Sequence, residues 1–327
     1  MNKLVDRFGR VHTYLRISVT DRCNLRCVYC MPMEGVKWKD REEILTFEEI
    51  LKVAKIFVSM GISKIRITGG EPTIRKDIEK LIAKLAELPG LKTLAMTTNG
   101  ITLKDHAASL KKAGLSALNI SLDTLQQKRY MEIAKRDYLN NVLIGIGSAL
   151  ALGFHPLKLN VVVINGVNDD EILDFVNFIK DKPINIRFIE FMPFKHNSWD
   201  HKKVLSYSKI KEKIQDHYDL IPIKCEPNAV AKDYCIEGFM GSVSFITSMS
   251  DSFCSSCNRI RLTANGSIKS CLFKLPEVNL RNALRADKGD EVISNMIEYA
   301  LSLKEEAHPS TDKLATIENQ SMIQIGG

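Results

Sequence analysis

The chain has 327 residues, 45% hydrophobic and 26% charged, with a formal charge of +7 and eight cysteines. These values fit a soluble globular protein of one large or two smaller domains. No apolar run is long enough to span a bilayer, and the opening MNKLVDRFGR has no apolar core of the signal-peptide kind, so the expectation is a cytoplasmic protein, or an organellar one if a precursor was trimmed. The basic residues are scattered, which reads as a solvated surface with some charge available to a polyanionic small molecule. No helix-turn-helix or RNA-binding signature appears, so neither nucleic acid nor membrane is expected as a partner. In a reducing compartment the cysteines are expected to be metal ligands or buried apolar residues rather than disulfides.

The chain then alternates strand and helix. Strands are predicted at 14–19, 63–68, 93–98, 117–122, 157–164 and 185–192, with helices at 47–59, 78–88, 103–113, 139–152 and 170–180 between them. Thr46 with Glu49 three residues later forms a capping box ahead of the first helix, and Gly114 and Gly153 follow the ends of two others. Repeated βα units argue for a parallel sheet whose strand carboxyl ends share one rim, where chemistry belongs. After about residue 220 the rhythm stops. The expected division is therefore a partial (β/α)6 TIM-type barrel over 1–220 and a smaller C-terminal domain over 221–327 carrying a cysteine hairpin.

Short polar punctuations sit at the strand ends: CNLRCVYC (23–30), GGEP (69–72), TTNG (97–100), SLD (121–123) and FMP (191–193). In the first of these, Cys23, Cys27 and Cys30 are one too many for a disulfide and one too few for a closed zinc site. A four-iron cluster on three thiolates leaves one iron open to a non-protein ligand. This C-x₃-C-x₂-C spacing, with an aromatic residue before the third cysteine and GGEP one βα unit later, resembles the radical S-adenosylmethionine superfamily. The resemblance implies a [4Fe-4S] cluster on those cysteines, with S-adenosylmethionine chelated at the open iron. It further implies cofactor contacts at Tyr29, Gly70, Ser121 and Met192, with Glu71 shaping the GGEP turn.

FCSSCNRIRLTANGSIKSCLF (253–273) carries a second set. Cys254 and Cys257 form a C-x₂-C knuckle, and an Asn-Gly hairpin brings Cys271 back beside it. Cys225 or Cys235 would close a zinc site if either joined; otherwise both are packing residues. Arg259 and Arg261 alternate on one strand and project to the same face. Arg16, Arg66 and Lys158 lie within strands one, two and five, where long cations are costly to bury unpaired; salt bridges would satisfy them singly, and a triphosphate would satisfy them all.

The combination, along nearly the whole chain and ending in Gly326-Gly327, resembles the GTP 3′,8-cyclase family of molybdenum cofactor biosynthesis. The resemblance implies two [4Fe-4S] clusters, the second on Cys254, Cys257 and Cys271 with the guanine base at its open iron. It implies GTP contacts at Arg16, Arg66, Thr97, Lys158, Arg259 and Arg261, and a tail, Gly326-Gly327, inserting toward the active site, where Arg259 and Arg261 assist the chemistry. The implied product is (8S)-3′,8-cyclo-7,8-dihydroguanosine 5′-triphosphate. The implied partners are a reducing electron donor, a downstream cyclic pyranopterin monophosphate synthase and a second copy in a homodimer. The competing readings are a radical enzyme with an auxiliary cluster acting on a peptide, a zinc-binding nucleic-acid module and an oxygen-reporting cluster protein. The first lacks its usual extra C-terminal cysteines, the second conflicts with the six βα units, and the third has no use for the GGEP loop or the arginines.

Overall fold

The computed structural model describes residues 3–32, 34–224, 228–251, 253–316 and 319–326. Six parallel strands come first: β1 (Tyr14–Ser18), β2 (Lys64–Thr68), β3 (Thr93–Thr98), β4 (Ala117–Ser121), β5 (Leu157–Val163) and β6 (Ile184–Glu190). Between them run α1 (Phe47–Ser59), α2 (Ile78–Ala86), α3 (Leu103–Lys112), α4 (Gln127–Ala134), α5 (Leu139–Ala151) and α6 (Ile172–Phe178). The strands lie side by side in chain order with no reversal. Right-handed crossovers then place every helix on one face, and the twisted sheet curls into an open barrel, a partial (β/α)6 arrangement.

Alternation sorts the side chains. Leu15, Ile17, Ile65, Ile67, Leu94, Met96, Leu118 and Ile120 are at most 4% exposed and face the helices. Their alternate neighbours Arg16, Arg66, Thr97, Asn119 and Lys158 face the concave side; Arg16 is in register with Arg66, Arg66 with Ala95, and Thr97 with Asn119, which stands opposite Lys158.

The rest of the chain completes both edges of this sheet. After α7 (Tyr207–Gln215), β7 (Ile221–Pro222) and β8 (Lys232–Cys235) pair antiparallel, and β9 (Ser242–Ile246) joins β8 to β6. The chain then crosses to the other edge, where β10 (Arg259–Leu262) runs parallel to β1, followed by β11 (Ser267–Lys269) and β12 (Val278–Asn279). Among the described residues the result is one sheet of 12 strands. Helices α8 (Arg281–Arg285) and α9 (Asp290–Ser302) follow, then the short α10 (Thr311–Thr316) and α11 (Met322–Ile325).

Several boundaries differ from the sequence pattern for local reasons. α2 stops at Ala86 because Leu88 precedes Pro89, and the residue before a proline avoids helical geometry. β6 ends at Glu190 because the next two carbonyls are taken by the loop: Trp199 Nε1 donates to Phe191 O at 2.9 Å and Asn197 Nδ2 to Met192 O at 2.8 Å. The sequence pattern does not announce α4, whose buried face is only Tyr130, Ile133 and Ala134.

Three buried glutamates tie the rim together. Glu71 Oε1 accepts from Thr73 N (3.1 Å), Thr73 Oγ1 (2.6 Å) and Thr98 Oγ1 (2.7 Å), while Oε2 accepts from Asn99 N (2.6 Å). Glu171 accepts from Thr124 Oγ1 (2.5 Å) and Leu125 N (2.7 Å) and pairs with Arg129. Glu190 accepts from Tyr207 N (2.8 Å), Met249 N (2.7 Å), Ser250 N (2.9 Å) and the Ser250 hydroxyl, anchoring the segment that crosses between the sheet edges. Each carboxylate is at most 1% exposed, and its donors replace the water it gives up.

Candidate active site

The first cysteine loop leaves the end of β1 and is pinned against α4: Arg26 N donates to Ala134 O and Val28 N to Ile133 O, both at 3.0 Å. Cys30 N donates to Cys27 O at 3.0 Å, folding the C-x₂-C turn. Leu25 N (3.4 Å) and Asn99 Nδ2 (3.9 Å) donate to Cys23 Sγ. Burial pushes the Cys23 thiol up to about 11, and burial with mutual repulsion pushes Cys27 and Cys30 higher than an ordinary thiol. Three thiols this close are kept protonated until cations take the protons' place.

Tyr29 Oη donates to Asp123 Oδ2 at 2.7 Å, and Val162 N donates to Oδ1 at 2.9 Å. Burial lifts the Asp123 carboxyl to about 6 against those two hydrogen bonds. Cys27, Tyr29, Asn99, Ser121, Asp123 and Tyr130 line one cavity of about 40 Å³. Gly70 lies beside the cysteine loop, its N–H on Thr20 O at 2.7 Å, so close that a Cβ would sit 2.1 Å from Arg22 O. Met192 is not among the residues lining this cavity; it packs against the separate cluster of Phe194, Phe273, Leu314 and Ile325.

The concave wall is strongly basic. Arg261, Arg16 and Arg66 are direct neighbours across β10, β1 and β2, and Tyr14 stands between Arg259 and Lys64 one step below. Arg66 Nε donates to Tyr14 Oη at 2.6 Å and Arg16 to the same oxygen at 3.3 Å. Burial raises the Tyr14 phenol, but the Arg66, Arg16 and Lys64 charges overcome it and bring it down to about 6. Burial and like-charge neighbours depress the cations: Arg261 to about 9, Arg187 to about 10 and Lys158 to about 8. Thr97 Oγ1, Asn160 Oδ1, Asn185 Oδ1 and Arg187 Nε are buried atoms of this wall with no hydrogen-bond partner among the described residues.

The hairpin forms as its Asn-Gly turn predicts, Gly266 N donating to Thr263 O at 2.9 Å and Thr263 N to Ser267 O at 2.8 Å. Cys257 and Cys254 both lie close enough to Cys271 to act on it electrostatically. Burial raises Cys257, but Arg259 and Lys304 outweigh it and lower the thiol to about 7. Cys235 donates to Ile221 O at 3.6 Å on the β7–β8 edge, and Cys225 lies outside the described residues. Among the described residues no three His, Cys, Asp or Glu side chains converge on a single ion site. A four-iron cluster would take each of three thiolates on a different iron.

Gly326, in left-handed geometry at φ +89°, caps α11, and its carbonyl accepts from Thr68 Oγ1 at 2.5 Å. A Cβ there would meet Ser18 Cβ at 2.5 Å, so the tail is threaded against the carboxyl ends of β1 and β2. Gly327 lies outside the described residues. A roomier hollow of about 350 Å³ is lined by 193–199, Leu314, Ala315 and Asn319, and its Phe194 and Leu314 belong to the apolar cluster against which Cys271 packs.

The sequence pattern did not single out Tyr14, Lys64, Arg187 or Lys304. The first three sit at inward-facing strand positions, so strand parity alone could have found them; nothing local marks Lys304.

Residues 17–179 match the radical SAM superfamily, and residues 184–310 match the Molybdenum Cofactor Synthesis C family. A Streptococcus suis SuiB structure bound to S-adenosylmethionine superposes with a TM-score of 0.62 at 16% identity, covering 88% of this chain and 69% of that one. The fold is thus that of a radical S-adenosylmethionine protein. A mitochondrial GTP 3′,8-cyclase of Arabidopsis thaliana is 49% identical over 99% of this chain and 83% of its own length. The GTP 3′,8-cyclase of Petrotoga mobilis is 42% identical over 99% of this chain and 100% of its own. Human molybdenum cofactor biosynthesis protein 1 is 46% identical over 98% of this chain, which spans 51% of that longer protein. The chain belongs to the GTP 3′,8-cyclase family. No helix among the described residues is long and apolar enough to cross a membrane.

Proposed function

We propose that the protein converts GTP to (8S)-3′,8-cyclo-7,8-dihydroguanosine 5′-triphosphate, the entry step of molybdenum cofactor biosynthesis. Cys23, Cys27 and Cys30 would hold one [4Fe-4S] cluster, and Cys254, Cys257 and Cys271 a second. When bound, the first cluster with S-adenosylmethionine supplies a hydrogen-abstracting radical. Tyr29, Gly70, Glu71 and Ser121 would contact that cofactor; Met192, packed in the separate Phe194–Phe273 cluster, would have to reach it from there. Gly70, lacking a Cβ, lets the GGEP loop pack against the Arg22 backbone of the cysteine loop, and Glu71 locks the GGEP loop to the end of β3.

The observation that carries the substrate is the basic wall. Neighbouring strands are ~5 Å apart, and two unit charges at that distance repel by ~3 kcal/mol at an effective dielectric of ~20. Arg261, Arg16 and Arg66 stand in such a row, with Lys64, Lys158 and Arg187 beyond. Tyr14 sits at the centre of this row and Asp233 acts on Lys158 and Arg187 at its far end; a triphosphate would match the charge of the whole row. Arg16, Arg66, Thr97 and Lys158 would bind the phosphates, joined by Arg187. Arg259 and Arg261 would stand between the second cluster and the nucleotide. Gly326 and Gly327 would close the mouth and exclude water from the reactive species. A reducing donor, a downstream cyclic pyranopterin monophosphate synthase and a homodimeric partner complete the proposal.

The test is anaerobic. The reconstituted, reduced protein is given S-adenosylmethionine with GTP or ATP, and 5′-deoxyadenosine is followed by chromatography. Release stimulated by GTP alone, with a new guanine-derived product, is expected. Release indifferent to GTP would refute the substrate, and a protein purifying with zinc instead of iron would refute the class.

A further inference from the structure

The segment after α9 touches the second cysteine site from behind. Lys304 is 3% exposed. Its Nζ donates to Ser270 O at 2.7 Å, Arg259 O at 3.0 Å and Cys257 Sγ at 3.5 Å. An ammonium has three N–H donors and no acceptor, so its full complement is matched. The two carbonyls belong to opposite arms of the hairpin, one just after Cys257 and one just before Cys271, so one side chain fastens both.

No carboxylate among the described residues lies within ion-pair distance of Lys304. A buried ammonium without a counter-charge costs several kcal/mol. The counter-charge available to it is the cysteine triad itself. Arg10 braces the same region: its guanidinium donates to Cys254 O at 2.8 Å and its Nε to the buried Asp6 at 2.6 Å.

We propose that Lys304 is a positioning residue for the second iron–sulfur site. Its ammonium sets Cys257 and Cys271 in ligating geometry, and its hydrogen bond to the Cys257 sulfur holds the bound cluster at a higher reduction potential. Hydrogen bonds to cluster sulfurs and nearby positive charge stabilise the reduced, more negative state. The inference rests on the reading of Cys254, Cys257 and Cys271 as a cluster site.

The test uses the full chain reconstituted anaerobically as wild type, K304M and K304R. Iron and sulfide per chain are counted, the metal-free chains are melted, and the reduced clusters are titrated by electron paramagnetic resonance. The first cluster, recognised by its spectral change with S-adenosylmethionine, serves as internal reference. The expected result is a negative shift of the second cluster's potential in K304M, a smaller shift in K304R and an unmoved first cluster. Loss of the second cluster in K304M, with the metal-free chain melting at the wild-type temperature and K304R retaining it, supports the positioning role. A K304M second cluster at wild-type potential overturns the proposal. So does a metal-free K304M or K304R chain that melts early while any second cluster it holds keeps its potential, because the lysine is then a strut. A wild-type chain holding one cluster overturns the cysteine reading itself, a failure that the metal count separates from the others.

Discussion

Glu71→Gln is the most informative single-atom change in the rim. The carboxylate is 1% exposed and accepts four hydrogen bonds, three at Oε1 and one, from Asn99 N, at Oε2. A glutamine must place its NH₂ at one of these ends. At Oε1 it meets the Thr73 N–H and two hydroxyls; at Oε2 it meets the Asn99 N–H alone, which is the lesser conflict. That choice removes a charge-assisted bond, about 1.5–3 kcal/mol, and leaves two buried N–H groups facing each other, about 1–3 kcal/mol more. Burial already pushes the Glu71 carboxyl up, so removing the charge returns part of this. The net expectation is ~3 kcal/mol of destabilisation. Urea unfolding of the metal-free chain followed by circular dichroism measures it from the shift in midpoint at constant slope. Glu87→Gln on the exposed end of α2 is the control and should stay within ~0.5 kcal/mol. Because Asn99 also holds Asn24 (2.7 Å) and Cys23, iron retention should fall together with stability. A Glu71→Gln chain as stable as the control would refute the claim that this carboxylate fastens the GGEP loop to β3.

Gly70→Ala would drive a Cβ to 2.1 Å from Arg22 O and 2.5 Å from Arg22 C, backbone that cannot swing away, so iron binding and stability should both drop, the latter by ~2 kcal/mol or more. Gly289→Ala, with nothing within 4 Å, should be nearly neutral, and equal melting temperatures for the two would sink the argument. Asp123 is lifted by burial from 3.8 to about 6, so between those values the folded chain holds the extra proton. The metal-free protein should gain stability from this group as pH falls from ~7 to ~4. Asp123→Asn removes the gain, so the wild-type advantage over the variant should grow on acidification, and urea midpoints at the two pH values that move in parallel would contradict it. Arg187→Ala removes a buried cation whose Nε has no partner among the described residues. GTP affinity measured by anaerobic calorimetry should weaken at least ~10-fold, about 1.4 kcal/mol, with S-adenosylmethionine binding within twofold. Equal weakening of both ligands would point to a general loss of structure.

What the sequence makes legible follows from the range of the interactions. Arg16, Arg66 and Lys158 are readable as one inner face because strand alternation has period two. The α1 capping box is local, and the Thr46 Oγ1 bond from Glu49 N is present at 3.1 Å. Asn265-Gly266 forms its turn for the same reason. Arg187 obeys the same parity, but only the pairing of β6 with β5, which sets it opposite Asn160, brings it to the row of cations, and that pairing is not local in sequence. α4 is short, polar and held by three buried side chains plus the cysteine loop, a tertiary cause that no window shows. The pairing of β10 with β1 and of β9 with β6 joins segments remote in sequence, and Lys304 reaches the hairpin from a helix end whose pattern is otherwise ordinary.

The pairing of β10 with β1 has a consequence for synthesis. Asn258 and Thr13, which bond at the base of that pairing, are 245 residues apart. At translation rates of ~5–20 residues per second, β1 waits ~10–50 s for its outer partner. Throughout that interval it presents a bare parallel edge, the kind of template on which nascent chains aggregate. Arg16 sits in the middle of that edge with Arg66 beside it. Two nascent chains meeting there would bring guanidinium against guanidinium, so these cations would oppose such pairing.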